Sequence, residues 1–178
     1  MKKISKFIYI ISPKKIKNEI FYENLVKIFK SRRISFFQLR LKNEKNKNII
    51  LIGKKIKKLC NKYNVKLIIN DSPKLAKKIN ADGCHLGQSD EKIKNARKLL
   101  KKNKIIGVTC HGSKKIILNS IKEKPNYIAL GSFFKSKLKP RARKAKKNLI
   151  RWCKQRTDLP IVAIGGINNK NYKTLIKF

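Results

Sequence analysis

Acidic residues are scarce in this 178-residue chain: 9 Asp and Glu stand against 48 Lys and Arg, a formal net charge of +39. So little negative charge leaves a field that draws phosphates, nucleic acids and anionic membranes toward the surface. The excess does not by itself indicate a nucleic-acid partner, because Lys, Ile and Asn all have A/T-rich codons and the lysines are spread along the whole chain. Long apolar runs are also missing. None approaches the ~18 residues of a membrane span. The run 7–11, after Lys2, Lys3 and Lys6, is too short for a signal peptide and has no small-residue cleavage site. A cytoplasmic protein with no membrane partner is expected. Cys60, Cys84, Cys110 and Cys153 are far apart, with no C-x-x-C pair and no His at zinc-finger spacing. That excludes a metal knuckle and a dithiol redox motif, and leaves small, reduced, buried side chains. G-x-G-x-x-G and G-x-x-x-x-G-K-[ST] are absent as well, so dinucleotide and Walker-type binding lack their fingerprints.

What is present is alternation. Short apolar runs at 7–11, 36–41, 67–70, 84–86, 105–110, 127–131 and 161–164 read as strands buried on both faces. Between them lie segments of helical period, such as 49–63 with Ile49, Ile52, Ile56, Leu59 and Cys60 on one stripe, and 93–101 with Ile93, Ala96, Leu99 and Leu100. A chain of this size supports one domain with a sizeable core. Strand–helix alternation means parallel strands joined by crossover helices, in an open doubly wound sheet or a closed barrel. Without the nucleotide fingerprints, the α/β (β/α)8 TIM barrel is the better choice. Seven strands are visible, so the expectation is a single barrel domain over 1–178, shortened after its seventh βα unit. Its open edges would leave the chain poorly soluble or paired in a homo-oligomer.

Polar residues and glycines gather just after the strands, where both folds bind ligands. Asn70-Asp71 and Ser89-Asp90 follow neighbouring strands. Two carboxylates converging there suit a hard divalent cation such as Mg2+ that bridges to substrate phosphates. The plainer alternative is helix capping, since Asp71 precedes Ser72-Pro73 and Asp90 precedes Glu91. Gln38, Arg40 and Lys42 alternate on one face of a strand end, a pattern that suits an anion, with Arg as a bidentate grip and Lys as a point charge. The other reading is a strand tip that has already reached solvent. Gly165-Gly166 after the last strand would open a helix whose backbone N–H groups meet a phosphate, or would form a tight turn. His85 and His111 stand near strand ends, where a hydrogen-bonded structural role is the commoner one.

In this order the segments QLRLK (38–42), LIIND (67–71), ADGCHLGQSD (81–90), ARKLL (96–100), IIGVTCH (105–111), YIALGSFFKS (127–136) and PIVAIGGIN (160–168) resemble the thiamine-phosphate synthase family. The resemblance implies a (β/α) barrel that joins a pyrimidinylmethyl diphosphate to a thiazole phosphate and releases pyrophosphate with Mg2+. It implies that Asp71 and Asp90 hold the metal, and that Gln38, Arg40, Lys42 and Asn70 hold the diphosphate. Thr109 and His111 match the family's polar pair after the fifth strand. Ser136 and Lys139 match its phosphate-contacting stretch, although FFKSKLK replaces the usual Thr-rich form and Ser132 replaces a Pro. Gly166 would give backbone to the thiazole phosphate. No single acid or base is implied; the protein positions its partners and stabilises the leaving charge. Two rivals are a thiazole tautomerase, which resembles the synthases but needs no metal-binding acid pair, and a basic nucleic-acid-binding protein centred on the run 139–147. The latter lacks the aromatic interleaving that base stacking uses, and nucleic acid is not an expected partner.

Overall fold

The computed structural model describes residues 6–135 and 144–178. Seven strands and six helices alternate among them. The strands follow chain order, and their pairing is parallel. The chain divides into two compact units, one running to His85 and including Asp90–Ile105, the other made of Leu86–Ser89 and Ile106–Phe178.

The first unit carries β1 (Ile8–Ile11), α1 (Glu19–Lys30), β2 (Ile34–Leu39), α2 (Asn46–Lys62), β3 (Lys66–Asn70), α3 (Pro73–Ile79), the start of β4 (Gly83–Leu86) and α4 (Ile93–Leu100). Each helix buries residues three or four apart: Leu25 and Phe29 on α1, Gly53, Ile56 and Cys60 on α2, Ile93, Ala96 and Leu100 on α4. That spacing keeps one stripe against the strands. Phe29 meets Phe37 of β2 edge-on, with ring centroids 5.9 Å apart. Leu67, Ile68 and Ile69 of β3 are 0–1% exposed, so each stabilises the unit by about 1.5–3 kcal/mol. Register places Gln38 beside Ile68 and Asn70 beside His85, which brings three polar residues to the same end of adjacent strands. At the other end Asp82 staples α2 to β3. Its carboxylate accepts from Leu67 N at 2.8 Å and from Lys57 Nζ at 2.6 Å.

The second unit holds β5 (Ile105–His111) from Ile106 onward, α5 (Lys114–Lys122), β6 (Tyr127–Leu130), α6 (Asn148–Lys154) and β7 (Ile161–Ala163). Ile106, Ile117, Ile128, Leu130 and Cys153 form its core, none more than 1% exposed. Thr109 pairs with Ala129 and His111 with Leu130, the register shifting at the intervening Cys110.

Two expectations need correction. β1 is not buried on both faces: Ile8 and Ile11 are each 46% exposed, because β1 stands at the end of the strand order with β2 beside it. No α-helix follows β7 among the described residues; a single 3-10 turn, Tyr172–Thr174, takes its place. The other boundaries move by one or two residues at strand ends and up to three at the start of α2, where polar Asn46 and Asn48 carry no periodic signal.

Candidate active site

β2 delivers Gln38 to its end with the side chain only 3% exposed. A buried carboxamide needs partners, and Gln38 Nε2 donates to Asn70 Oδ1 at 3.0 Å. Two of the four predicted diphosphate residues are therefore in contact across β2 and β3. Beyond Leu39 the strand ends. Arg40 is half-buried and Lys42 exposed, so the inward-facing reading holds at Gln38, is partial at Arg40 and fails at Lys42, which has reached solvent as the alternative foresaw.

β3 ends at Asn70, and Asp71 turns into the left-handed region with φ 64°, a conformation that Asp tolerates better than most side chains. Its N–H donates to His85 O at 2.8 Å, and Ser72 N donates to Asn70 O at 2.8 Å. Ser72, not Asp71, caps α3: its Oγ accepts from Leu75 N at 3.2 Å, with Pro73 at the first helical position. Likewise α4 begins at Ile93 with Lys92 at its N-cap, two residues beyond Asp90. Neither Asp is a helix cap, and the plainer reading of both is set aside.

The two carboxyls meet instead. Burial first, then a hydrogen bond to Asp90 and repulsion from it, push the Asp71 carboxyl above its usual range, while Lys42 and Arg40 pull the other way. Two carboxylates this close cannot both ionise comfortably unless a proton or a cation lies with them. Among the described residues no group of three or more His, Cys, Asp or Glu could hold a metal alone. A pair of carboxylates suits Mg2+, which keeps waters and takes further oxygens from a substrate's phosphates. His85 is 8% exposed, and burial, helped by Arg40 and opposed by Asp90, lowers its pKa to about 4. The imidazole is neutral at neutral pH and adds no positive charge beside the pair. A cavity of about 310 Å³ opens beside Asp71, walled by Leu39, Leu41, Ile49 and Ile69 and rimmed by Lys42 and Asn70.

The remaining predicted residues belong to the second unit. Thr109 is half-buried on β5, and its carbonyl accepts from Gln88 Nε2 at 2.5 Å. His111 is exposed, past the register shift, with φ 51°. Gly166 has φ +64°, and a Cβ there would come within 2.3 Å of Lys135 O and 2.7 Å of Phe134 O; only Gly fits. Because no helix follows, the Gly pair belongs to a turn that Asn171 stitches, donating from Nδ2 to Gly166 O at 2.9 Å and accepting from Asn168 N at 2.9 Å. Ser136 and Lys139, with the basic run through Arg143, lie outside the described residues. Sequence reasoning passed over Ser12 and Asn171; Ser-Pro directly after a strand was the signal available for the first.

The thiamine monophosphate synthase family profile matches residues 8–178. A thiamine-phosphate synthase of Pelagibacter ubique is 54% identical over 171 residues, 96% of this chain and 82% of that protein. One from Erythrobacter litoralis is 34% identical over 174 residues, covering 96% and 81%. The solved thiamine phosphate pyrophosphorylase from Pyrococcus furiosus superposes with a TM-score of 0.82 at 28% identity, over 96% of this chain and 80% of that one. The fold is accordingly α/β, with seven parallel strands in a TIM-like arrangement. The chain belongs to the thiamine monophosphate synthase family.

Proposed function

We infer that this chain, a thiamine-phosphate synthase by its relatives, works at the strand ends of its first unit. The reaction joins the thiazole nitrogen of a thiazole phosphate to the methylene carbon of a pyrimidinylmethyl diphosphate. One C–N bond forms, one C–O bond breaks, and pyrophosphate leaves with the electron pair. The observation that carries the assignment is the contact between Asp71 and Asp90, beside the Gln38–Asn70 hydrogen bond and within the field of Arg40 and Lys42.

On this reading Asp71 and Asp90 hold Mg2+, which when bound neutralises charge on the departing pyrophosphate. Arg40 grips diphosphate oxygens in its planar fork, and Lys42, flexible at the rim, adds a point charge. Gln38 fixes the Asn70 amide by taking its Oδ1, so that the amide's nitrogen is the end aimed at an acceptor. Neutral His85 keeps the wall beside Asp90 uncharged. Thr109, His111 and the backbone of Gly166, with Ser136 and Lys139, serve the thiazole phosphate and the phosphate contacts. No general base is required: the thiazole nitrogen is the nucleophile, and the leaving group departs as an anion that positioned charges stabilise. A tautomerase has no use for a carboxylate pair in contact, which favours transfer.

The test is direct. The purified chain, both phosphorylated substrates and Mg2+ should yield thiamine phosphate and pyrophosphate in equal amounts, and Arg40→Ala should raise KM for the pyrimidine diphosphate far more than for the thiazole phosphate. Equal losses for both substrates would reject that division of roles.

A further inference from the structure

Ser12 lies directly after β1 and is 9% exposed. Its backbone N–H donates to Gln38 O at 2.9 Å, continuing the β1–β2 ladder one residue past the Ile11–Gln38 pair. In a regular parallel ladder, a residue whose N–H reaches the carbonyl of residue 38 offers its own carbonyl to the N–H of residue 40. Here the acceptor for Arg40 N–H is the Ser12 hydroxyl, at 2.9 Å, and that hydroxyl donates onward to Pro13 O at 3.1 Å. Pro13 follows directly and confines the backbone of Ser12 where the strand ends. One buried hydroxyl thus closes the ladder where β2 gives way to the Arg40 segment, tied at Gln38 through backbone and at Arg40 through side chain.

We propose that Ser12 is a positioning residue for the diphosphate grip: its hydroxyl holds the main chain at Arg40, and so sets where the guanidinium stands relative to Gln38 and Asn70. The role rests on the assignment of Arg40 to the diphosphate made above. Ala at position 12 leaves the Arg40 N–H without its acceptor, and the segment after Leu39 loosens while the β2–β3 register is untouched. Thr keeps the hydroxyl.

The experiment measures KM for each substrate and kcat in the full chain carrying Ser12→Ala, Ser12→Thr, Arg40→Ala, or Ser12→Ala with Arg40→Ala, together with exchange protection of the Arg40 amide. Ser12→Ala should raise KM for the pyrimidine diphosphate up to roughly ten-fold, the upper scale of one lost neutral hydrogen bond, and leave the thiazole phosphate KM within about two-fold. Protection of the Arg40 amide should fall, and Ser12→Thr should restore both. In the Arg40→Ala background the Ser12→Ala change should cost little more, because the two act through one contact. An unchanged diphosphate KM in Ser12→Ala, equal losses for both substrates, or full additivity in the double variant overturns the role of Ser12 while Arg40 stands. An unchanged diphosphate KM in Arg40→Ala sinks the assignment of Arg40 and the Ser12 proposal with it. Should Ser12→Ala not fold, Ser12→Cys, with a weaker acceptor in the same space, carries the same comparisons.

Discussion

Asp71 combines a left-handed backbone, φ 64°, with a carboxyl pushed above its ordinary 3.8 by burial and by Asp90. Departures of this kind gather where a ligand compensates them. They also fix a sign. A carboxyl whose folded pKa is raised favours the protonated fold, so its stabilisation is in place at low pH and is lost as pH climbs above 3.8 through the raised value. The metal-free thermal midpoint of the wild type should therefore fall across that window. Asp71→Asn has nothing to ionise and should lack the decline, with an equal or higher midpoint at pH 7. Added Mg2+ should recover the wild type and leave Asp71→Asn unmoved; a melting series at several pH values with and without Mg2+ reads all of this. Turnover should drop at least about 100-fold in Asp71→Asn and in Asp90→Asn, the scale of losing a preorganised charge site, with circular dichroism unchanged. Near-wild-type turnover of either variant at limiting Mg2+ would remove the carboxylate pair as the metal site.

Between elements, the site end and the opposite end of the strands do different work, and Asp82 shows it. Its carboxylate accepts Leu67 N and Lys57 Nζ with both side chains of the ion pair less than a fifth exposed. Asp82→Ala should cost about 2 kcal/mol, since it leaves a part-buried N–H and a lysine without their acceptor, or ~4–8 °C in a chain of this length. KM for both substrates should stay put; a rise would mean that the staple also shapes the site. The strand–helix alternation was legible because apolar runs and 3.6-residue stripes are local features. So was the convergence of Gln38, Asn70 and Asp71, which follows from polar residues placed at strand ends. That Asp71 does not cap α3 was not legible, because it turns on Ser72 taking the cap and on φ at Asp71, neither of which residue type dictates. Ser12 escaped because its partner lies 28 residues away. The helix after β7 was expected from the Gly pair, but 167–178 folds into turns held by Asn168 and Asn171.

For the molecule as a whole, charge dominates. Subtracting 9 acids from 48 bases leaves 39 cations without an acid to match, even with Lys55 paired to Glu19 and Lys57 to Asp82. Mutual repulsion of this size opposes the compact state and at the same time raises the local concentration of phosphorylated substrates. Salt should separate the two effects, because screening shortens from ~10 Å at ~0.1 M to ~3 Å at ~1 M. On raising NaCl across that range, the thermal midpoint should increase as repulsion weakens. Over the same range KM for the pyrimidine diphosphate and for the thiazole phosphate should both increase, as the field that gathers them collapses. Duplex DNA retained on a filter at low salt should be released steeply, while turnover at saturating substrate barely changes, since the contacts proposed at Asp71 and Asp90 would act at close range. If DNA binding survives high salt, the basic surface has a nucleic-acid partner after all. If both KM values ignore salt, the cations are a compositional burden that the fold tolerates, and short-range contacts such as those proposed for Arg40 and Lys42 suffice to gather the substrates.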